Sequence, residues 1–135
     1  VVVDPDKTRQ ALTNVLSNAY KYSPRGGSIQ LRTRLDDLNG RPMYMIEVED
    51  HGVGLTNEQL GRVFERFYRA DPSGNIPGTG LGLCLVKEIM ELQGGAIQMD
   101  SRHGQGTTVR LWLPLLSTQS REAAKDERAQ PLVMN

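Results

Sequence analysis

Asn14 and Asn18 stand four residues apart in a stretch, Lys7 to Tyr22, whose apolar residues Ala11, Leu12, Val15, Leu16 and Ala19 recur at helical spacing. Residues at i and i+4 are neighbours on one helix face, and Lys21 and Tyr22 extend the same side. An amide oxygen can coordinate a hard cation, and Mg2+ usually completes its shell with waters and phosphates. A lysine one turn along can meet a phosphate as a point charge. The plain alternative is a pair of solvated amides on an amphipathic helix. A second group is Asp50-His51-Gly52-Val53-Gly54. Glycines after a strand let backbone approach a flat ligand closely, and an inward Asp beside them could accept a hydrogen bond from an exocyclic amine. A tight turn capped by Asp50 is the simpler account, and it also covers His51 as a turn residue.

Gly78-Thr79-Gly80-Leu81-Gly82-Leu83 leads into a helical pattern. Free N–H groups at a helix N-terminus bind anions, and glycines remove the Cβ obstruction. No Lys-Ser/Thr pair follows, so this is not a P-loop. No strand immediately precedes it, so it is not the dinucleotide fingerprint. The fourth group is Phe64-Glu65-Arg66-Phe67-Tyr68-Arg69. The two Phe suit core packing or the hinge of a lid, and Arg69 could reach a terminal phosphate or simply sit on the surface.

These groups need elements to position them. Asp4-Pro5-Asp6 reads as a helix start, with Asp at the cap and acid near the positive end of the dipole. Ser23-Pro24-Arg25-Gly26-Gly27 stops that helix. Ile29, Leu31, Thr33 and Leu35 alternate with Gln30, Arg32 and Arg34, the signature of a half-buried strand. A hairpin loop is expected over 36–42, around Asn39-Gly40, and a strand over 43–49. If that strand reaches Asp50, the carboxylate shares the inward parity of Ile46 and Val48, an unusual place for a charge. Thr56 caps a short helix in capping-box spacing with Gln59, and Leu60, Val63, Phe64 and Phe67 line its apolar face. Residues 69–78 hold Pro72, Gly74, Pro77 and Gly78 and read as a mobile loop. A helix over 80–93 is closed by Gly94-Gly95. Strands over 96–101 and 107–113 flank a turn, and Pro114 ends the second. Val1-Val2-Val3 suits a further strand end.

The 135 residues are one domain's worth. Sixteen Lys and Arg balance sixteen Asp and Glu, which argues against a general nucleic-acid binder. One cysteine, Cys84, excludes an intrachain disulfide and a zinc knuckle, and it reads as a small helix residue. No apolar run approaches the ~20 residues of a membrane span. These traits fit a reducing, cytoplasmic setting. Beyond Ser117 the charges alternate with few large apolar residues, so a polar, disordered tail over 117–135 is expected, with a docking helix as the alternative.

Taken in order, the four groups resemble the catalytic and ATP-binding domain of bacterial sensor histidine kinases. Asn14 to Ser23 is similar to its N box, Asp50 to Gly54 to its first glycine box, Phe64 to Tyr68 to its F box, and Gly78 to Leu83 to its second glycine box. Ser101 through Pro114 resembles the family's closing hairpin. The resemblance covers about residues 1–115, within an ATP-binding domain expected over 1–116. It implies an α/β two-layer sandwich, the Bergerat ATP-binding fold, with a mixed five-stranded sheet and about three helices on one face.

The resemblance also implies site roles. Asn18, with Asn14 beside it, would hold Mg2+. Lys21 and Arg69 would meet phosphates during catalysis, and Tyr22 would pack near the nucleotide. Asp50 would take the adenine amino group, with Gly52 and Gly54 shaping the base pocket. Gly78, Thr79, Gly80, Leu81, Gly82 and Leu83 would face the phosphates. Thr107 would sit near Asp50 and help with adenine through a water. ATP would be the phosphoryl donor under a lid formed by 69–78. The acceptor would be a histidine on a separate dimerisation and phosphoacceptor domain of the parent kinase, with a response regulator further along the two-component relay. Neither His51 nor His103 lies in the family's phosphoacceptor motif. The domain would be a cytoplasmic monomer with no nucleic-acid or membrane contact, though its parent could be a membrane-anchored sensor. The chaperone, topoisomerase and mismatch-repair ATPases place a water-activating Glu where this chain has Asn14, and an amide is no general base near neutral pH. An anti-sigma-type serine kinase and a nucleotide-binding regulatory module without transferase activity are the other readings.

Overall fold

The computed structural model describes residues 4–23, 26–66, 68 and 82–115. Helix α1 spans Pro5–Lys21. Asp4 caps it, its side chain accepting from the N–H groups of Asp6 at 2.9 Å and Lys7 at 3.2 Å. Pro5 occupies the first turn, where a missing N–H costs nothing. Strands β1 (Gln30–Leu38) and β2 (Arg41–Asp50) follow. They are joined by Asn39-Gly40, both at positive φ (53° and 79°), as a tight hairpin turn requires. The loop is therefore shorter than the 36–42 expected, because this two-residue turn keeps the ladder in register as far as Leu38 and Arg41.

Helix α2 is a single turn, Asn57–Leu60, held by the expected capping box: Thr56 Oγ1 accepts from Gln59 N, and Gln59 Oε1 accepts from Thr56 N at 2.8 Å. Its apolar face does not continue as helix. Gly61 ends it, and turns carry the chain past buried Val63 and half-buried Phe64. Phe67 lies outside the described residues. Helix α3 spans Gly82–Leu92, and β3 (Ala96–Arg102) and β4 (Gly106–Pro114) form the closing hairpin.

The sheet order is β1-β2-β4-β3, and every pairing among the described strands is antiparallel. Two tight hairpins dictate the β1–β2 and β3–β4 pairings, since a short connection can join only antiparallel neighbours, and β2 and β4 then pair antiparallel across the long connection that holds α2, α3 and β3. The two-layer α/β architecture is as expected, with four described strands in place of a mixed five. The segment expected to add a strand, 1–3, lies outside the described residues.

One sheet face packs under α1 and α3. Ala11, Val15 and Ala19 of α1 and Val86, Ile89 and Met90 of α3 are buried against Ile46, Val48, Val109, Leu111 and Leu113. Gln93 clamps the beginning of α1 to the end of α3: its Oε1 accepts from Asp4 N at 2.6 Å and its Nε2 donates to Thr8 Oγ1 at 3.3 Å. The helices are therefore antiparallel, and the C-terminus of α1 lies at the same end of the layer as the N-terminus of α3.

The opposite face is built differently. Met43, Met45 and Trp112 form a small apolar cluster with Leu38 and Ala96, and Trp112 Nε1 donates to Gln98 Oε1 at 2.9 Å. Beside it runs a charge ladder across all four strands: Arg32 to Glu47 at 2.9 Å, Glu47 to Arg110 at 2.9 Å, and Arg110 to Asp100 at 2.6 Å. Such cross-strand pairs fix register more than they add stability.

Leu111, 0% exposed, sits at the centre of the helix-covered face. Leu111→Ala is expected to lower unfolding free energy by about 2–5 kcal/mol. Leu92→Ala, at a side chain 82% exposed, is expected to change it by less than about 0.5 kcal/mol. Urea unfolding of the two variants checks both.

Candidate functional site

Across β2, β4 and β3 the helix-facing side of the sheet is apolar rung by rung until its last. Ile46 pairs with Leu111 and Leu111 with Ile97; Val48 pairs with Val109 and Val109 with Met99. At the next inward rung stand Asp50, Thr107 and Ser101. Three polar side chains thus end an apolar face. They lie at the end of the layer where α1 finishes.

Asp50 is 7% exposed. Its Oδ1 accepts from Gly52 N at 2.9 Å and from Thr107 N at 3.3 Å. Oδ2 has no hydrogen-bond donor among the described residues. Burial pushes the carboxyl above the ordinary Asp range, while the two backbone N–H bonds and nearby His51 pull it back; Glu49 adds to the upward push. The result is a fixed, shielded acceptor with one oxygen uncommitted.

Backbone packing explains the glycines around it. A Cβ on Gly52 would lie 2.0 Å from the carbonyl oxygen of Tyr22, the same oxygen that accepts from Val53 N at 2.9 Å. A Cβ on Gly54, at φ +67°, would lie 2.0 Å from Arg102 O. Space that could admit a ligand is filled here by protein. Gly52 lets the end of α1 close on the turn, and Gly54 lets the β3–β4 hairpin do so, with Gly104 N donating to Val53 O at 2.6 Å.

Of the α1 candidates, Tyr22 reaches this junction through its carbonyl oxygen, and the others precede it along the helix. Asn14, Asn18, Lys21 and Tyr22 are all partly buried. Neither amide has a hydrogen-bond partner, and Lys21 has no ion pair, among the described residues. Ser23 Oγ is buried with no hydrogen-bond partner among the described residues. Gly82 and Leu83 open α3 at the same end of the layer. Arg69, Gly78, Thr79, Gly80, Leu81 and the 69–78 lid lie outside the described residues.

Ser101 joins this site although no motif marks it. Its Oγ accepts from Leu55 N at 2.7 Å, contacts Gly106 O at 3.0 Å, and meets Thr107 Oγ1 at 2.8 Å. The signal was present in the alternation of residues 96–101, which puts Ser101 on the parity of Ile97 and Met99. Ser23 offered no such signal, because a terminal loop residue has no parity to break.

The described residues offer a shielded carboxylate oxygen able to accept a hydrogen bond, and amides and a lysine on α1 able to meet oxygen ligands or anions. Among the described residues no group of three or more His, Cys, Asp or Glu is gathered to hold a metal. A cation bound here would rest on amide oxygens, waters and ligand oxygens, which suits Mg2+. No helix among the described residues is long and apolar enough to cross a membrane.

Comparison with known proteins agrees with this geometry. Residues 3–117 match the family model described as histidine kinase-, DNA gyrase B-, and HSP90-like ATPase. The chain is 40% identical over 121 residues to the sensor histidine kinase WalK of Bacillus subtilis, covering 88% of this chain and 20% of that protein. It is 39% identical over 114 residues to the sensor protein kinase WalK of Staphylococcus saprophyticus, covering 83% and 18%. It therefore spans about a fifth of the length of these curated relatives. Among solved structures, the mycobacterial sensor histidine kinase MprB matches with a TM-score of 0.68 at 33% identity, over 84% of this chain and 76% of that one. Full-length ShkA, crystallised with AMPPNP, matches with a TM-score of 0.63 at 30% identity, over 80% and 21%. In sequence and in fold this chain is thus similar to sensor kinases, and it belongs to the histidine kinase-, DNA gyrase B-, and HSP90-like ATPase family.

Proposed function

We propose that this chain is the ATP-binding catalytic domain of a sensor histidine kinase, which positions Mg-ATP for transfer of its γ-phosphoryl group to a histidine on a separate dimerisation and phosphoacceptor domain. The observation that carries the reading is the uncommitted Oδ2 of buried Asp50 at the last inward rung. In this reading Oδ2 accepts a hydrogen bond from the adenine amino group, and Thr107 assists beside it. Gly52 and Gly54 hold the turn that shapes the base pocket. Tyr22 packs against the nucleotide.

Lys21 offers charge to the phosphates, and Gly82 and Leu83 bring the start of α3 to them. Arg69, Gly78, Thr79, Gly80 and Leu81 complete the phosphate contacts in the same proposal. Asn18, with Asn14 beside it, would hold Mg2+. Their partnerless, partly buried amides fit that ion. When bound, Mg2+ neutralises charge on the phosphate oxygens.

What the domain contributes is alignment and charge neutralisation, which phosphoryl transfer chiefly requires. A ring nitrogen of the acceptor histidine forms the new bond to phosphorus, the bond from phosphorus to the β–γ bridging oxygen breaks, and ADP leaves. Asn14 cannot take a proton from water, so the bound triphosphate is spared hydrolysis while it waits for the acceptor.

The reading takes residues 1–116 as the nucleotide-binding unit and 117–135 as a polar tail. It places the unit in the cytoplasm as a monomer, with a response regulator receiving the phosphoryl group from the parent. Incubating the chain with labelled ATP and its parent's acceptor domain is expected to label histidine. Label on the serine of an antagonist protein, or tight binding with no label, would overturn the kinase assignment.

Asp50→Asn keeps an oxygen for both backbone N–H donors, so the free domain is expected to fold. It should lose about 1.5–3 kcal/mol of ATP affinity by calorimetry. The raised native pKa means the folded state holds the proton to higher pH than the unfolded chain. Wild type should therefore lose stability relative to Asp50→Asn as pH rises through the Asp50 titration, and should lose ATP affinity as pH falls through it. Parallel thermal melts and titrations across pH read both slopes.

Asn18→Ala is expected to cost more affinity in Mg2+ than in EDTA. Equal losses in the two buffers would contradict metal ligation by Asn18.

A further inference from the structure

A hydroxyl oxygen has one proton to give and two lone pairs to receive with. Ser101 Oγ has three protein contacts, one for each: Leu55 N at 2.7 Å, Gly106 O at 3.0 Å and Thr107 Oγ1 at 2.8 Å. It is saturated by protein and has no capacity left for a ligand. Each contact nevertheless leads to the base pocket. Leu55 follows the glycine turn, Gly106 begins β4, and Thr107 lies directly opposite Asp50, giving its N–H to the Asp50 carboxylate.

We propose that Ser101 is a positioning residue for base selection, acting through Thr107: one hydroxyl pins the Thr107 side chain and the glycine turn to the same point, fixing the polar edge that reads the purine. The proposal rests on the reading of Asp50 as the acceptor for the base. Thr107 Oγ1 can rotate about its own Cα–Cβ bond, and its described side-chain partner is Ser101. Held there, its polar atom keeps one direction beside Asp50. Released, it samples other rotamers, and the edge that distinguishes an amino group from a carbonyl loses definition. The phosphate-facing residues of α1 and α3 make none of these contacts, so triphosphate binding is independent of Ser101.

The test is a double-mutant cycle on the whole chain, with ATP and ITP as probes, since ITP carries a 6-oxo group where ATP carries the 6-amino group. Calorimetry gives the ratio of the two affinities, and thermal unfolding is followed in parallel. Ser101→Ala is expected to lower the ATP-to-ITP ratio by about tenfold, the worth of one well-placed hydrogen bond. Ser101→Thr, which keeps the hydroxyl, should hold the ratio near that of wild type. Thr107→Val should lower it as Ser101→Ala does, and the double variant should fall no further than Thr107→Val alone. Affinities for ATP and ITP that drop together in Ser101→Ala, with the ratio unchanged, would reduce Ser101 to a structural part and overturn the proposal. So would a collapsed ratio in Ser101→Thr, or additive losses in the double variant. Asp50→Asn separates the two levels. Unchanged nucleotide affinity there would overturn the base-pocket reading, whereas a normal loss there beside an unchanged ratio in Ser101→Ala would overturn the role of Ser101 alone.

Discussion

The buried carboxylate of Asp50 constrains everything around it. A carboxylate taken from water is costly unless donors replace the solvent. Two backbone N–H groups do so at Oδ1, and each depends on a particular piece of the fold. Gly52 N is aimed only because the turn after β2 bends back, and Thr107 N only because β4 pairs with β2 in one register. A slip of one residue would turn Asp50 to the outer face and put Glu49 inward. The register that buries the core is the register that installs the acid.

The scaffold secures that register from both sides. On the helix-covered face, Leu111 and Val109 interlock with Ile46 and Val48 under α1 and α3. On the other face, Arg32, Glu47, Arg110 and Asp100 pair across the strands. The ladder runs from exposed Arg32 to partly buried Glu47 and Arg110, and opposite charges placed strand by strand disfavour alternatives that would set like charges together. The Gln93 clamp then sets the antiparallel course of the two helices, so that the end of α1 and the start of α3 lie at the same end of the layer.

Much of this is legible in the residues. The alternation in β2 predicts an inward Asp50, and the Asp4 cap, the Thr56–Gln59 box and the Asn39-Gly40 turn each form where their side-chain chemistry demands. Other features escape because they depend on contacts distant in the chain. Nothing local says that Gly52 must admit Tyr22 O or that Gly54 must admit Arg102 O, since those partners arrive through tertiary packing. The apolar run Leu60 to Phe64 reads as helix by spacing, yet Gly61 ends the helix after one turn. Ser101 looks like an ordinary strand residue until the partners on three sides of its hydroxyl are seen.

The account also joins stability to function through a single group. Asp50 costs the free protein something by being charged and shielded, and that cost is what leaves Oδ2 available to a ligand. The most direct measurement is a crystal structure of the domain with ADP. The account predicts the 6-amino group of adenine within hydrogen-bond distance of Asp50 Oδ2 and the phosphates directed toward the ends of α1 and α3 that meet at this edge. A nucleotide bound with its base elsewhere, or with its 6-amino group turned away from Asp50, would contradict it.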